Sequence, residues 1–177
     1  MRLFIGIELP KKMRSELSGA LKELKIRSSG GRYVLEDNMH ITLHFIGESN
    51  DLTGAVKAIK QAVRGIHPFE LHPVCYDFFE KGVKKTSFVS VGGNLEELGI
   101  LHEALETALS DNGFSREYKR FVPHITLGRA VEHDEFTGAE MKRYEFTSSM
   151  TVSEIVLYES RKENGKLCYV PLHREKF

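Results

Sequence analysis

Hydrophobic and polar positions along the chain alternate between two rhythms. The opening run RLFIGIEL is apolar over strand length and closes at Pro10, so it predicts a buried strand. In KKMRSELSGALKELKI the residues Met13, Leu17, Leu21 and Leu24 recur at helical spacing, which predicts an amphipathic helix ending near SSGG. After RYVLEDN comes the strand-like HITLHFIG, then Asp51 as the cap of a helix over LTGAVKAIKQAVRGI. FELHPVCYDFF and TSFVSVGG read as two strands around the turn EKGVKK. Leu95, Leu98, Leu101, Leu105 and Leu109 form the stripe of a further helix stopped at Gly113. A second strand HITLGR, a charged segment AVEHDEFTGAEMKRYEF with the pattern of a short helix, and the strands SMTVSEIVLYES and KLCYVPLHREKF complete the chain. The last two flank RKENGK, whose Asn-Gly pair is a hairpin signal.

Strands and helices thus alternate, but short turns join several strand pairs, which favours antiparallel pairing and an α+β architecture over a doubly wound parallel sheet. With 177 residues, the chain is expected to form one domain over 1–177 made of two similar halves.

Composition narrows the chemistry. Lys+Arg and Asp+Glu are equal at 25 each, so no global basic field attracts nucleic acid and any anion needs a local site. The two cysteines, Cys75 and Cys168, fit no metal spacing and suggest a reduced compartment. The N-terminal apolar run meets Glu8 and Pro10 too early for a signal peptide, and no run approaches membrane-spanning length; the expectation is a cytoplasmic protein without membrane contact. No Gly-rich phosphate loop with a following Lys-Ser/Thr is present, which argues against ATP-dependent ligation, and no nucleophile elbow occurs.

The tetrapeptide His-Ile-Thr-Leu occurs twice, beginning at His40 and at His124. On a strand, His40 and Thr42 share one face against Ile41 and Leu43; His124 and Thr126 likewise share a face against Ile125 and Leu127. A single His-x-Thr is most simply the wet face of an edge strand. Two matching copies facing one cleft would supply two imidazoles and two hydroxyls. Imidazole titrates near ~6.5, so one ring can act as base while the other acts as acid. Hydroxyls can donate to phosphoryl oxygens as charge grows, which together suits an in-line displacement at phosphorus.

The paired His-x-Thr-hydrophobic motifs, with RLFIGIELP, DNMHITLHFIGE, RFVPHITLGR and VLYESR around them, resemble the two-histidine phosphoesterase superfamily, and within it the RNA 2′,3′-cyclic phosphodiesterases once named 2′-5′ RNA ligases. The resemblance implies a bilobal pseudo-twofold α+β fold, two antiparallel sheets forming a central groove and helices outside. It implies hydrolysis of 2′,3′-cyclic phosphate RNA ends to 2′-phosphates without metal or other cofactor, with reversible 2′-5′ ligation as a related activity. It makes His40 and His124 the catalytic pair, with His40 as acid and His124 as base, and Thr42, Thr126 and Arg129 the phosphate ligands. Strict alternation puts Arg129 opposite Thr126, so its role requires a bulge after Gly128. The expected partners are RNA ends or nucleotides carrying a 2′,3′-cyclic phosphate, met by a monomer. Alternatives are a non-catalytic nucleotide-binding module and a related phosphoesterase acting on small cyclic nucleotides.

Several residues carry plainer readings. His44 shares strand parity with His40, but no carboxylate or Cys spacing completes a metal site, so it reads as a rim or structural histidine. Phe88 could stack on a base but reads as core. His67, His72, His102, His133 and His173 read as surface or satisfied polar groups. Arg120 stands out for its closeness to His124, and KGVKK and KRF are small basic clusters.

Overall fold

The computed structural model describes residues 1–82 and 84–177 with the exception of the Lys81 side chain. Its strands are β1 (Arg2–Glu8), β2 (Gly30–Tyr33), β3 (His40–Glu48), β4 (Phe69–Lys81), β5 (Lys84–Gly93), β6 (His124–Glu132), β7 (Met150–Val152), β8 (Glu154–Glu163) and β9 (Lys166–Lys176). Its helices are α1 (Lys11–Arg27), α2 (Leu52–Ala62), α3 (Leu95–Asp111) and α4 (Glu135–Lys142). The turn expected at EKGVKK includes Val83, which lies outside the described residues.

Local signals explain most boundaries. Asp51 Oδ1 accepts from the Gly54 amide at 2.8 Å and starts α2, as expected of a cap. Asp134 does the same for α4 through the Thr137 amide. Gly113, at φ +87°, lies in the left-handed region just beyond α3. Asn164 and Gly165 both have positive φ, at 50° and 76°, which suits the β8–β9 hairpin. Two short elements were not expected: β2 and a 3₁₀ turn over Glu36–Asn38. Both occupy GGRYVLEDN, where no periodicity marks them; β2 exists because β6 offers it an edge. Leu95, placed on the apolar stripe of α3, is exposed, while Leu98, Leu101, Leu105 and Leu109 are buried. The first turn of α3 projects beyond the core.

All strand pairings are antiparallel, in the order β7-β4-β5-β6-β3-β1-β8-β9, with β2 added to β6. The order is symmetric about its centre. β3 corresponds to β6, β1 to β5, β8 to β4 and β9 to β7, which makes the pseudo-twofold visible. Strands also cross between halves: β4 follows α2 but pairs with β5, whereas β8 returns from the second half to pair with β1. The two expected sheets are the halves of one nine-stranded sheet, joined through a single residue pair, Ile41 with Ile125.

One face of this sheet is covered. Ile41, Leu43, Ile125 and Leu127 pack with Leu17, Leu21 and Leu24 of α1, Ala58 and Ile59 of α2, and Leu101 and Leu105 of α3 in one continuous core. The opposite face carries a small apolar cluster, Phe4, Val156 and Tyr158, with Tyr169 against it, and a Phe79–Phe88 stack beside His124, around an open groove. Among the described residues no helix is long and apolar enough to cross a membrane.

Because Ile125 is 1% exposed and sits at the joint between the halves, Ile125→Ala should cost about 2–5 kcal/mol through the cavity it leaves. Denaturant unfolding at constant m measures this; a loss below about 1 kcal/mol would show that the joint contributes little packing.

Candidate active site

The joint fixes the site. Ile41 pairs with Ile125 in antiparallel register, so the flanking residues bring His40 toward Thr126 and Thr42 toward His124. Both isoleucines point into the core, and alternation turns both His-Thr pairs to the groove. His40, Thr42, Thr126 and Arg129 line a groove of about 520 Å³ together with Arg2, Phe4, Phe45, Ser160 and Tyr169.

The imidazoles are held alike. His40 Nδ1–H donates to the Asn38 carbonyl at 2.7 Å, and His124 Nδ1–H donates to the Val122 carbonyl at 2.7 Å. A carbonyl only accepts, so Nδ1 carries a proton in both rings and Nε2 is left as the atom that exchanges one. The Thr42 hydroxyl lies 2.8 Å from His40 Nε2 and donates to it when that nitrogen carries no proton. His40 also packs on aromatic neighbours: Phe4 at 4.9 Å between ring centroids and Tyr169 edge-on at 5.2 Å. Gly6 lies beneath it, where a Cβ would meet the Ile41 carbonyl at 2.8 Å and His40 Cδ2 at 3.3 Å. Burial holds the His40 pKa below its usual value, with the Arg129 and His124 charges acting in the same direction and the Asn38 hydrogen bond opposing. His40 therefore stands neutral at pH 7.

Two bulges alter the parity read from sequence. On β3, Thr42 pairs with Gly6 but His44 pairs with Ile5, leaving Leu43 as an extra residue. His44 consequently turns into the core, and Phe45 takes the groove face with 53% of its surface exposed. On β6, Thr126 pairs with Phe88 but Gly128 pairs with Ser87, leaving Leu127 extra. Arg129 then faces the groove beside Thr126, as its expected role requires; one irregularity falls just before Gly128, and a second follows it, where Lys85 pairs with Val131 and Ala130 has φ +52°. Gly128 is wedged between β2 and β5, where a Cβ would meet Val131 Cγ2 at 2.8 Å. Phe45 and Arg129 occupy matching positions in the two halves.

His44, read from strand parity as a neighbour of His40, is thus on the other face. It is 2% exposed, and its Nδ1–H donates to Glu106 Oε1 of α3 at 2.5 Å. The other Glu106 oxygen accepts from the Glu117 amide at 2.9 Å. His102 lies 3.6 Å from the same carboxylate and stacks on Phe121 at 3.9 Å. This knot ties the first motif strand to the segment leading into the second. His44, Glu106 and Glu117 offer ligand atoms within 4.8 Å of one another. Glu106 is, however, already engaged through both oxygens, and the arrangement is a brace.

The remaining candidates separate cleanly. Phe88 is buried, as expected, but on the groove side of the sheet: it pairs with Thr126, lies outside the main core cluster and packs edge-on to His124 at 5.3 Å. The exposed aromatic there is Phe79, stacked on Phe88 at 4.5 Å; no sequence signal distinguished it from its neighbours in β4. Arg120 is exposed and does not line the groove. Arg2, Ser160 and Tyr169 do line it and had no motif to mark them.

Comparison with known proteins yields one family. The profile described as the 2′-5′ RNA ligase superfamily matches residues 13–164. The chain is 31% identical to an RNA 2′,3′-cyclic phosphodiesterase of Thermotoga maritima, over 96% of this chain and 100% of that protein. Its fold is similar to the crystal structure of Escherichia coli LigT complexed with 3′-AMP, with a TM-score of 0.76 and 26% identity, over 99% of this chain and 97% of that one. It also resembles TT0787 of Thermus thermophilus, with a TM-score of 0.79 at 22% identity, over 99% and 97% of the two chains.

If Glu106 braces the site, Glu106→Leu should destabilise the protein by about 3–5 kcal/mol, because the His44 N–H then loses its buried partner. Glu106→Gln, which keeps an acceptor, should cost clearly less. Equal losses in the two variants, by chemical denaturation, would contradict the brace.

Proposed function

Because the chain belongs to the 2′-5′ RNA ligase superfamily, we propose that it is an RNA 2′,3′-cyclic phosphodiesterase that opens cyclic phosphate ends to 2′-phosphates using His40 and His124 as its acid–base pair. The observation that carries this reading is the matched orientation of the two imidazoles, both anchored at Nδ1 on facing strands.

In the proposed reaction the cyclic phosphate lies between the two strands. One Nε2 takes a proton from water as its oxygen bonds to phosphorus. The bond from phosphorus to the 3′ oxygen breaks in line, and the other ring, entering the cycle as the imidazolium, gives its Nε2 proton to that oxygen. The products are a 2′-phosphate and a 3′-hydroxyl. Thr42 and Thr126 donate to the non-bridging oxygens, and the Arg129 guanidinium balances their charge. Thr42 must leave His40 Nε2 to do so, which frees that nitrogen at the moment substrate arrives. The reading needs no metal, since both proton transfers are assigned to side chains. It has the protein act as a monomer in the cytoplasm. That the similar Escherichia coli LigT has been crystallised with 3′-AMP supports a nucleotide as ligand, for which Phe45 offers an exposed ring face in the groove.

The resemblance assigns His40 as acid and His124 as base. We assign the reverse: burial keeps His40 neutral and its Nε2 already accepts from the Thr42 hydroxyl, so this nitrogen is placed to accept a proton from water, with His124 as the acid on the 3′ oxygen. In the ligation direction the roles exchange.

The direct test offers an oligonucleotide ending in a 2′,3′-cyclic phosphate in EDTA and maps the product. A 2′-phosphate is expected; cleavage only with added metal, or none, would overturn the proposal. His40→Ala and His124→Ala should each lower kcat by about a hundredfold or more with the fold retained. A substrate whose 3′ leaving atom is sulfur needs no acid, so it should restore activity to His124→Ala and not to His40→Ala. The opposite pattern of rescue would return the acid role to His40. In wild type the lower limb of the kcat/KM profile should lie below pH 6.5, where His40 gains a proton and base function is lost.

A further inference from the structure

The groove continues past the reacting centre. On β1, Gly6 pairs with Thr42, and Arg2 lies four residues further along the same face, roughly 13 Å at strand rise. Arg2 pairs with Ser160 on β8, and Ser160 pairs with Tyr169 on β9. Directly paired residues project from the same face at neighbouring positions, so these side chains form a lateral row across three strands, and all three line the groove. The row ends at His40, since Tyr169 packs edge-on against that ring.

The row consists of donors. Among the described residues, neither Arg2 nor Arg129 has a carboxylate within ion-pair distance, and the Ser160 and Tyr169 hydroxyls make no hydrogen bond to the protein. Glu48, the partner of Arg2 on β3, lies 3.7 Å from the N-terminal ammonium instead. Burial keeps the Tyr169 hydroxyl protonated and able to donate. Among the described residues no Asp or Glu lines the groove, although the chain holds 25 of them at net charge zero; Glu8 and Asp37, in the adjoining pocket beside His40 and Tyr169, are paired with Arg174 and Arg14. Two guanidiniums in an acid-free groove, one beside Thr126 and one well along β1, suit two phosphates with a nucleoside between them.

We propose that Arg2, Ser160 and Tyr169 form a second anion subsite that binds the phosphodiester on the 5′ side of the terminal nucleotide, so that the preferred substrate is an RNA chain end rather than a nucleoside 2′,3′-cyclic phosphate. This rests on the phosphodiesterase reading for its substrate, but the subsite itself is measurable without turnover. Arg2 supplies the charge and the bidentate fork, Ser160 and Tyr169 supply hydroxyl donors, and the row sets the distance from the reacting phosphate.

Calorimetry with adenosine 2′-phosphate and adenosine 2′,5′-bisphosphate isolates the subsite, because the two ligands differ only in the 5′-phosphate. The bisphosphate should bind about tenfold tighter to the wild-type protein, as expected of one added charge-assisted contact. Arg2→Gln should bring that ratio close to one, and Ser160→Ala should reduce it in part, with melting temperatures retained. A ratio near one in wild type, or a ratio undiminished in Arg2→Gln, would overturn the proposal. Kinetics then identify the chemistry of the ligand. Relative to a nucleoside 2′,3′-cyclic phosphate, both the 5′-phosphorylated form and the dinucleotide form should show a raised kcat/KM in wild type. A gain for the 5′-phosphorylated form alone would overturn the assignment to a chain phosphodiester. Absence of turnover on every substrate would instead refute the phosphodiesterase reading, with the calorimetric ratio still deciding the subsite.

Discussion

The backbone pairing of Ile41 with Ile125 is the constraint on which the rest of the site depends. It is the only register point between β3 and β6, and it joins two half-sheets whose other pairings lie elsewhere. Two apolar residues facing the core hold it, and the period of two along each strand then commits the neighbouring His and Thr to the groove. A shift of one residue on either strand would turn its imidazole into the core and its isoleucine into water. The cost of that exchange is what keeps the two imidazoles in place.

This division of labour was legible in the sequence, since the repeated His-Ile-Thr-Leu states both the anchor and the functional face. What followed each motif was not. Strict alternation put His44 with His40 and Arg129 opposite Thr126; the structure reverses both relations through the extra residues Leu43 and Leu127. A bulge exists only relative to a partner strand, and the partners here, β1 and β5, are remote in sequence. His44 illustrates the consequence. Its position is decided by Ile5 across the strand pair and Glu106 across the core, neither of which its local sequence reveals. Phe45 and Arg129 reach the groove by the same displacement in the two halves, so the pseudo-symmetric frame presents an aromatic ring on one side and a guanidinium on the other.

Charge shows the same limit. A net formal charge of zero argues against broad attraction to nucleic acid, and that inference stands for the surface as a whole. Within the groove the balance is local: Arg2 comes from the first strand and Arg129 from the sixth, and the acids are placed elsewhere. Topology, through the crossing of β8 back to β1, puts Ser160 and Tyr169 beside Arg2. The helices follow the expected pattern closely because their apolar stripes are local, whereas β2 depends on an edge that only the assembled sheet supplies.

The most direct test of the central claim is ¹⁵N NMR of the histidine side chains during titration with adenosine 2′-phosphate. The account predicts that Nδ1 is protonated in both His40 and His124 in the unliganded protein, and that the Nε2 resonances of both move together as the ligand binds. A deprotonated Nδ1 at either ring, or a response confined to one of them, would contradict it.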